Sequence, residues 1–391
     1  MITGLDFKNK VAASISSFSN QTKAEGKGNN LIVDGSGKGN IKTEADETIV
    51  LLAEGDDLVF AESDKNKIEA QAGNNTITAN GNMNKIKTDN GNNTITTNGT
   101  ANSITTSNGN NTISSTGSAN SISTSTGNNK ITSTGSYNHI TTETGNNNII
   151  SAGNNNTINT NTGNNAIYSF GNENNIHTAN GNNNIVSGGN KNNIVADNGN
   201  NTIISGGYAK TKSGGYTVTG DGNDNHIQGG SGNDIIKSTG HRNFIRGGAG
   251  NDHILSIGRN NHIEGEEGDD AILSIGDNND IDSGEGNDSI VFNGDNINIV
   301  AGDGNNYIAS LDFAIKDGSY ADYADYLEKQ IETKDGKTAI IGNKNIDIKT
   351  GKGETNMKLN VSKNLNVDAT GGGTTTAFVT GLSLIPITAP T

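Results

Sequence analysis

The chain has 391 residues and a mass of 40.4 kDa, with 54 glycines, 67 asparagines, no cysteine, no tryptophan and two prolines. With 30% hydrophobic and 4% aromatic residues it is too poor in apolar side chains for ordinary spherical cores, and it has no apolar run long enough for a transmembrane helix. The absence of cysteine excludes disulfides, thiolate metal sites and a cysteine nucleophile, and a net charge of −15 with pI near 4.8 argues against a nucleic-acid partner.

The composition alone reads as disorder, but the residues are periodic. At the amino end, Phe7, Val11, Ile15 and Phe18 are spaced for one face of a short helix, a cap over residues 1–30. From there an aliphatic residue recurs every nine positions, from Ile32, Ile41, Val50 and Val59 through Ile68, Ile77 and Ile86 to Ile203 without a slip. Nine residues suit one short strand and one tight turn, not a helical repeat. The unit doubles, because G-N-N turns begin at Gly73, Gly91, Gly109 and every eighteenth residue to Gly199, whereas the intervening turns read Ala101-Asn102 or Ala119-Asn120.

The predicted fold is therefore all-β: a parallel β-roll or β-solenoid with two nine-residue strand-plus-turn units per 18-residue coil and short helical caps. Each isoleucine points inward onto those of adjacent coils and its neighbours point outward, so the core is a thin line of aliphatic side chains. Roughly fifteen coils spaced about 4.8 Å apart give a rod on the order of 70 Å long. Two residues before each isoleucine stands an asparagine, such as Asn75, Asn93 and Asn111, whose amides stack at strand spacing into a hydrogen-bonded ladder. This first segment spans residues 31–205.

From Ile203 to Ile227 the spacing is 24 residues. Residues 206–219, with Tyr208 and Tyr216 flanking Ser213-Gly214-Gly215, read as a protruding β-hairpin that leaves the identity of both edges intact. In the alternative, Val218 is a solenoid strand and the edges exchange.

Residues 220–310 keep the period and change the chemistry. Between Ile68 and Ile203 the charge is −1; between Thr217 and Ile308 it is −12. Asp234, Asp252, Asp270 and Asp288 occupy the register that asparagine holds in the first segment. Carboxylates one coil apart repel unless a cation intervenes, and oxygen ligands without a histidine or cysteine set point to a hard cation, calcium before magnesium.

Here the sequence resembles a known family. Gly229-Gly230-Ser231-Gly232-Asn233-Asp234-Ile235-Ile236 and Gly247-Gly248-Ala249-Gly250-Asn251-Asp252-His253-Ile254 match the nonapeptide G-G-x-G-x-D-x-U-x of RTX proteins, and the turns ending in Asp270 and Asp288 match with one substitution each. The resemblance implies Ca2+ between successive coils at one edge. The implied ligands are Asp234, Asp252, Asp270 and Asp288, with carbonyls near Gly229, Gly247 and Gly265. Three sites between four turns follow, and Asn306 replaces the acid of the next turn. The opposite edge carries Asn225, Asn243, Asn261 and Asn279, so no regular calcium row is expected there, although Asp221, Asp224, Asp277 and Asp280 could hold an occasional ion.

Past the repeats, Tyr320, Tyr323, Leu327 and Ile331 mark a helical segment within 311–336. Residues 337–391 return to strands and end in an apolar, hydroxyl-rich tail holding Pro386 and Pro390, where the resemblance implies an uncleaved signal for one-step (type I) export. The first twenty residues lack the pattern of a cleaved secretory signal.

No catalytic constellation emerges, so the chain reads as a non-enzyme. The leading expectation is a secreted structural protein of a bacterial surface, in a surface layer, filament or matrix. It would fold with calcium and self-associate through solenoid ends, with cell-surface polysaccharide as a further partner. An adhesin or ice-binding solenoid is the second reading, resting on the outward Thr76/Thr78 and Thr94/Thr96 pairs, and a carbohydrate-active enzyme the third.

Overall fold

A computed structural model describes residues 22–24, 31–34, 37–210, 216–218, 221–310, 343–369, 371, 374–380 and 387–388. Phe7, Val11, Ile15 and Phe18 of the expected cap and the helix expected over 311–336 lie outside the described residues, as do residues 381–386 and 389–391 of the tail; within 1–30 the described residues Thr22–Ala24 form a strand paired in parallel with Asn40–Thr43. The fold is an all-β parallel solenoid of about 16 turns with two strands per coil of about 18 residues and no helix among the described residues. Two compact units divide the chain at Tyr168 and Ser169.

In the first unit the strands that follow G-N-N turns stack into one sheet, Thr76–Asn80 on Thr94–Asn98, Thr112–Thr116 and Lys130–Thr134, with Ile77, Ile95, Ile113 and Ile131 in register. The alternate strands, Lys85–Asn90, Ser103–Asn108 and Ser121–Thr126, form a second sheet with Ile86, Ile104 and Ile122 in register. Each isoleucine is buried, and identical neighbours leave no reason to slip, since a one-residue shift would expose the whole column.

The core is wider than one aliphatic column. Each strand points a second residue inward, two positions after its isoleucine, and in the neutral coils that residue is small or hydroxylated: Thr97 and Ser115 in the first sheet, Thr88 and Thr106 in the second, all buried. The thin aliphatic line expected from the sequence left these positions out of the core, but the pleat turns them in.

The asparagine ladder is a backbone device. The Oδ1 of each ladder residue accepts the backbone N–H of the ladder residue one coil earlier, as Asn111 does from Asn93 and Asn129 from Asn111, both at 2.9 Å. On the G-N-N edge the amide Nδ2 also donates to the turn glycine, as from Asn93 to the Gly91 carbonyl at 2.9 Å. This satisfies turn N–H groups that no strand partner reaches. The glycine is obligatory for two reasons. Gly91 has φ 120°, and a Cβ there would collide with the Gly73 carbonyl one coil away.

In the second unit two parallel sheets of the same kind run through the acidic coils, from Asn184–Gly188 and Thr202–Gly206 to Ile235–Thr239 and His253–Ile257 in one, and from Asn193–Asn198 to His226–Ser231 and Phe244–Ala249 in the other. Ile194 pairs with Ile227 and Ile203 with Ile236, so edge identity is kept across a coil of 33 residues. The extra chain includes an antiparallel pair, Tyr208–Lys210 with Tyr216–Val218, which places Val218 opposite Tyr208 and not in a solenoid strand. Beyond Ser310, Asn343–Lys349 and Glu354–Asp368 add to the two sheets in parallel.

Candidate metal centre

The site grows out of the ladder by two substitutions per coil. In two neutral coils a threonine of the second sheet and the asparagine five residues later bond inside the turn, where Asn93 Nδ2 donates to Thr88 Oγ1 at 3.2 Å and Asn165 Nδ2 to Thr160 Oγ1 at 3.3 Å; Thr106, Thr124, Thr142 and Thr178 hold the same position with a buried, unpartnered hydroxyl. In the acidic coils the threonine becomes glycine and the asparagine becomes aspartate: Gly229 with Asp234, Gly247 with Asp252, Gly265 with Asp270. The donor amide and the hydroxyl both disappear, leaving room and negative charge.

The aspartates keep the ladder bond. Asp234 Oδ1 accepts the Asn201 N–H at 2.5 Å, Asp252 accepts that of Asp234 at 2.7 Å, Asp270 that of Asp252 at 2.8 Å and Asp288 that of Asp270 at 2.9 Å. Asp288 hands its own N–H to Asn306 Oδ1 at 2.8 Å. All four carboxylates are at most 2% exposed, and in each the second oxygen, Oδ2, is buried without a hydrogen-bond donor.

These oxygens point at the glycines. A Cβ on Gly229 would lie 2.6 Å from both Asp234 Oδ2 and the carbonyl oxygen of Gly247 in the next coil. The same space at Gly247 is bounded by Asp252 Oδ2 and the Gly265 carbonyl, and at Gly265 by Asp270 Oδ2 and the Ser283 carbonyl. Three cradles result, each lined by a carboxylate oxygen and a backbone carbonyl from the next coil. The carbonyl of Gly229 itself accepts Asn201 Nδ2 at 3.2 Å. The carbonyls that converge on the aspartates therefore belong to Gly247, Gly265 and Ser283. Sequence reasoning did not single out Ser283; its only signal was that it fills the glycine position of the fourth turn.

Burial without a counter-charge disfavours the ionised form. It pushes Asp234 up to about 6 and Asp252 and Asp270 up to about 7, partly offset by the backbone N–H each accepts; neighbouring acids add to the rise at Asp252 and Asp270. Asp288 is raised too, chiefly by burial. A row of buried anions one coil apart calls for a cation, and hard oxygen donors fit calcium. No group of three or more acidic, histidine or cysteine side chains among the described residues is arranged to hold a metal ion, so the donor set at this edge mixes carboxylate and carbonyl oxygens.

The opposite edge is different. Asn225, Asn243 and Asn261 donate their N–H groups to Asn243, Asn261 and Asn279 Oδ1, each at 2.9 Å, repeating the neutral ladder. The acids expected there as occasional ligands face basic side chains. Asp224 pairs with Arg242 at 2.7 Å, Asp277 with Arg259 at 3.5 Å and Asp221 with His241 at 3.7 Å, while Asp280 lies 3.0 Å from His262. On the outer surface of the second sheet, His226, Phe244 and His262 stack at centroid distances of 5.3 and 5.0 Å, with the Arg246 guanidinium over the Phe244 ring.

The family model of the RTX calcium-binding nonapeptide repeat matches residues 53–82, 78–113, 87–122, 123–158, 219–254 and 257–290. The chain carries RTX calcium-binding nonapeptide repeats. They span the acidic coils and much of the neutral segment, where asparagine stands for aspartate, and they indicate Ca2+ as the bound ion. No curated protein and no solved structure matches the chain. RTX repeats are typical of type I secreted extracellular proteins, and an RTX β-roll is typically non-enzymatic.

Proposed function

We propose that this RTX-repeat protein is a secreted structural component of a bacterial surface whose acidic segment is set by calcium and whose neutral segment is permanent. The carrying observation is the tandem of Asp234, Asp252 and Asp270, each with a buried, donor-free Oδ2 facing a glycine cradle and a carbonyl oxygen. Calcium at these positions supplies the positive charge that lets three carboxylates stay ionised inside the turns. The aspartate Oδ1 atoms meanwhile hold the ladder, and the glycines keep the space open. Asp288 completes the acidic register. The neutral coils, which place a threonine such as Thr88 and an uncharged amide such as Asn93 in the equivalent space, need no ion.

Support for a structural role is the repetition itself. Coils of one strand-and-turn design present repeating surfaces along the described residues, which suits self-association into a layer or filament and contact with surface polysaccharide. The calcium reading is tested by calorimetric titration of the full chain. Heat of binding that diminishes in Asp252→Asn/Asp270→Asn is expected; no binding, or unchanged binding by that variant, would refute it. Light scattering in calcium and in chelator tests the assembly: a monomer at high concentration in both rejects it.

A further inference from the structure

The position five residues before each ladder residue on the calcium edge decides whether a coil has room for an ion. It is buried throughout: threonine in neutral coils such as those of Thr88 and Thr106, glycine at 229, 247 and 265, then Ser283. At Gly265 the open space lies between Asp270 Oδ2 and the Ser283 carbonyl. One coil on, Ser283 has a side chain in the equivalent direction. Its hydroxyl donates to the Ala301 carbonyl at 3.1 Å and lies beside Asp288. Ala301 is the counterpart of Ser283 in the cradle below, and its carbonyl also accepts Asn306 Nδ2 at 2.6 Å. The oxygens that would face a fourth ion thus already have a hydroxyl between them and an amide on one of them.

We propose that Ser283 closes the fourth cradle, so that the calcium row ends at Asp270 although Asp288 continues the carboxylate ladder. At the other end the row is closed by Asn201, whose amide occupies the Gly229 carbonyl, and by Ala196, which the Ile194–Ile227 pairing places in register with Gly229 and whose methyl group is buried. A coil of this edge accepts calcium only where the residue pair spaced five apart is Gly and Asp. Threonine, alanine or serine at the first position keeps calcium out whatever stands at the second.

This inference rests on the calcium reading above and goes past it by assigning the boundaries. The test counts ions per chain by calorimetric titration of the full-length protein with calcium. The wild type is expected to take three, Ser283→Gly four, and Ser283→Ala three, since a methyl group still fills the space. Ser283→Gly/Asp288→Asn should return to three. An independent pair reads the other boundary: Asn201→Asp alone stays at three, and Ala196→Gly/Asn201→Asp rises to four. A wild type that takes four ions and loses one on Asp288→Asn overturns the gate, as does a folded Ser283→Gly together with Ala196→Gly/Asn201→Asp that both stay at three. If the wild type takes no calcium, the underlying calcium reading fails; if it takes three and neither variant adds one, the gate alone fails.

Discussion

Removing calcium should invert the usual response of a protein to acid. In chelator, Asp234, Asp252 and Asp270 are buried carboxyls pushed up to about 6, 7 and 7 from an ordinary value of 3.8. A rise of two to three units corresponds to roughly 3–4 kcal/mol per carboxyl, a large share of the stability of any one domain. The folded state binds these protons more tightly than the unfolded state. The stabilisation is therefore complete below about pH 4, fades as the pH climbs toward 7, and is absent above it. Calcium replaces the protons, so in its presence the sign reverses and acid weakens the segment by competing for the carboxylates. Urea unfolding of the full chain at pH 5 and pH 8, with amide exchange of residues 226–308 as the local readout, separates the two regimes. In chelator the segment should resist more urea at pH 5 than at pH 8, and in saturating calcium it should not. The triple variant Asp234→Asn/Asp252→Asn/Asp270→Asn should lose the dependence, which removes the histidines as its cause. A chelated segment equally stable or weaker at pH 5 would refute the reasoning.

Other outcomes are as specific. Chelation should lower amide protection across residues 226–308 and leave residues 76–158 unchanged, because only the former contain buried, donor-free carboxylates. Gly247→Ala should bind one ion fewer by calorimetry, since its Cβ would meet Asp252 Oδ2 and the Gly265 carbonyl. Asn111→Ala strips the acceptor from the buried Asn93 N–H and should cost about 1–3 kcal/mol in urea unfolding. Ile131→Ala, at a fully buried column position, should cost about 2–5 kcal/mol by the same measurement.

The isoleucine period and the ladder register were legible in the sequence because each is a single residue type at a fixed interval, and a strand repeat has few ways to use such an interval. The aspartates at 234, 252, 270 and 288 were legible as members of that register. The cradle was not. Its walls are a Cα hydrogen and a carbonyl from another coil, and neither has a letter of its own. Thr88 and Thr106 had no place in a core read as a thin line of aliphatic side chains, although the pleat buries them. The exchange of threonine for glycine becomes meaningful only once the residue five places on is seen to share its space. Ser283 was hidden for the same reason, since a carbonyl ligand can come from any residue. The pairing of Asp224 with Arg242 and of Asp277 with Arg259 also escaped notice, because the partners lie one coil apart and are eighteen letters distant.

One coil of 33 residues sits among coils of 18, and the strands on both sides of it remain paired residue for residue. At this coil turn and strand are separable parts: the sheets fix where the turn begins and ends, while its length exceeds that of its neighbours by 15 residues. A display element of another sequence could be grafted between Gly206 and Asp221 without renegotiating any contact of the ladder, which makes this coil the natural place for the chain to acquire a new specificity or for an experimenter to insert a reporter.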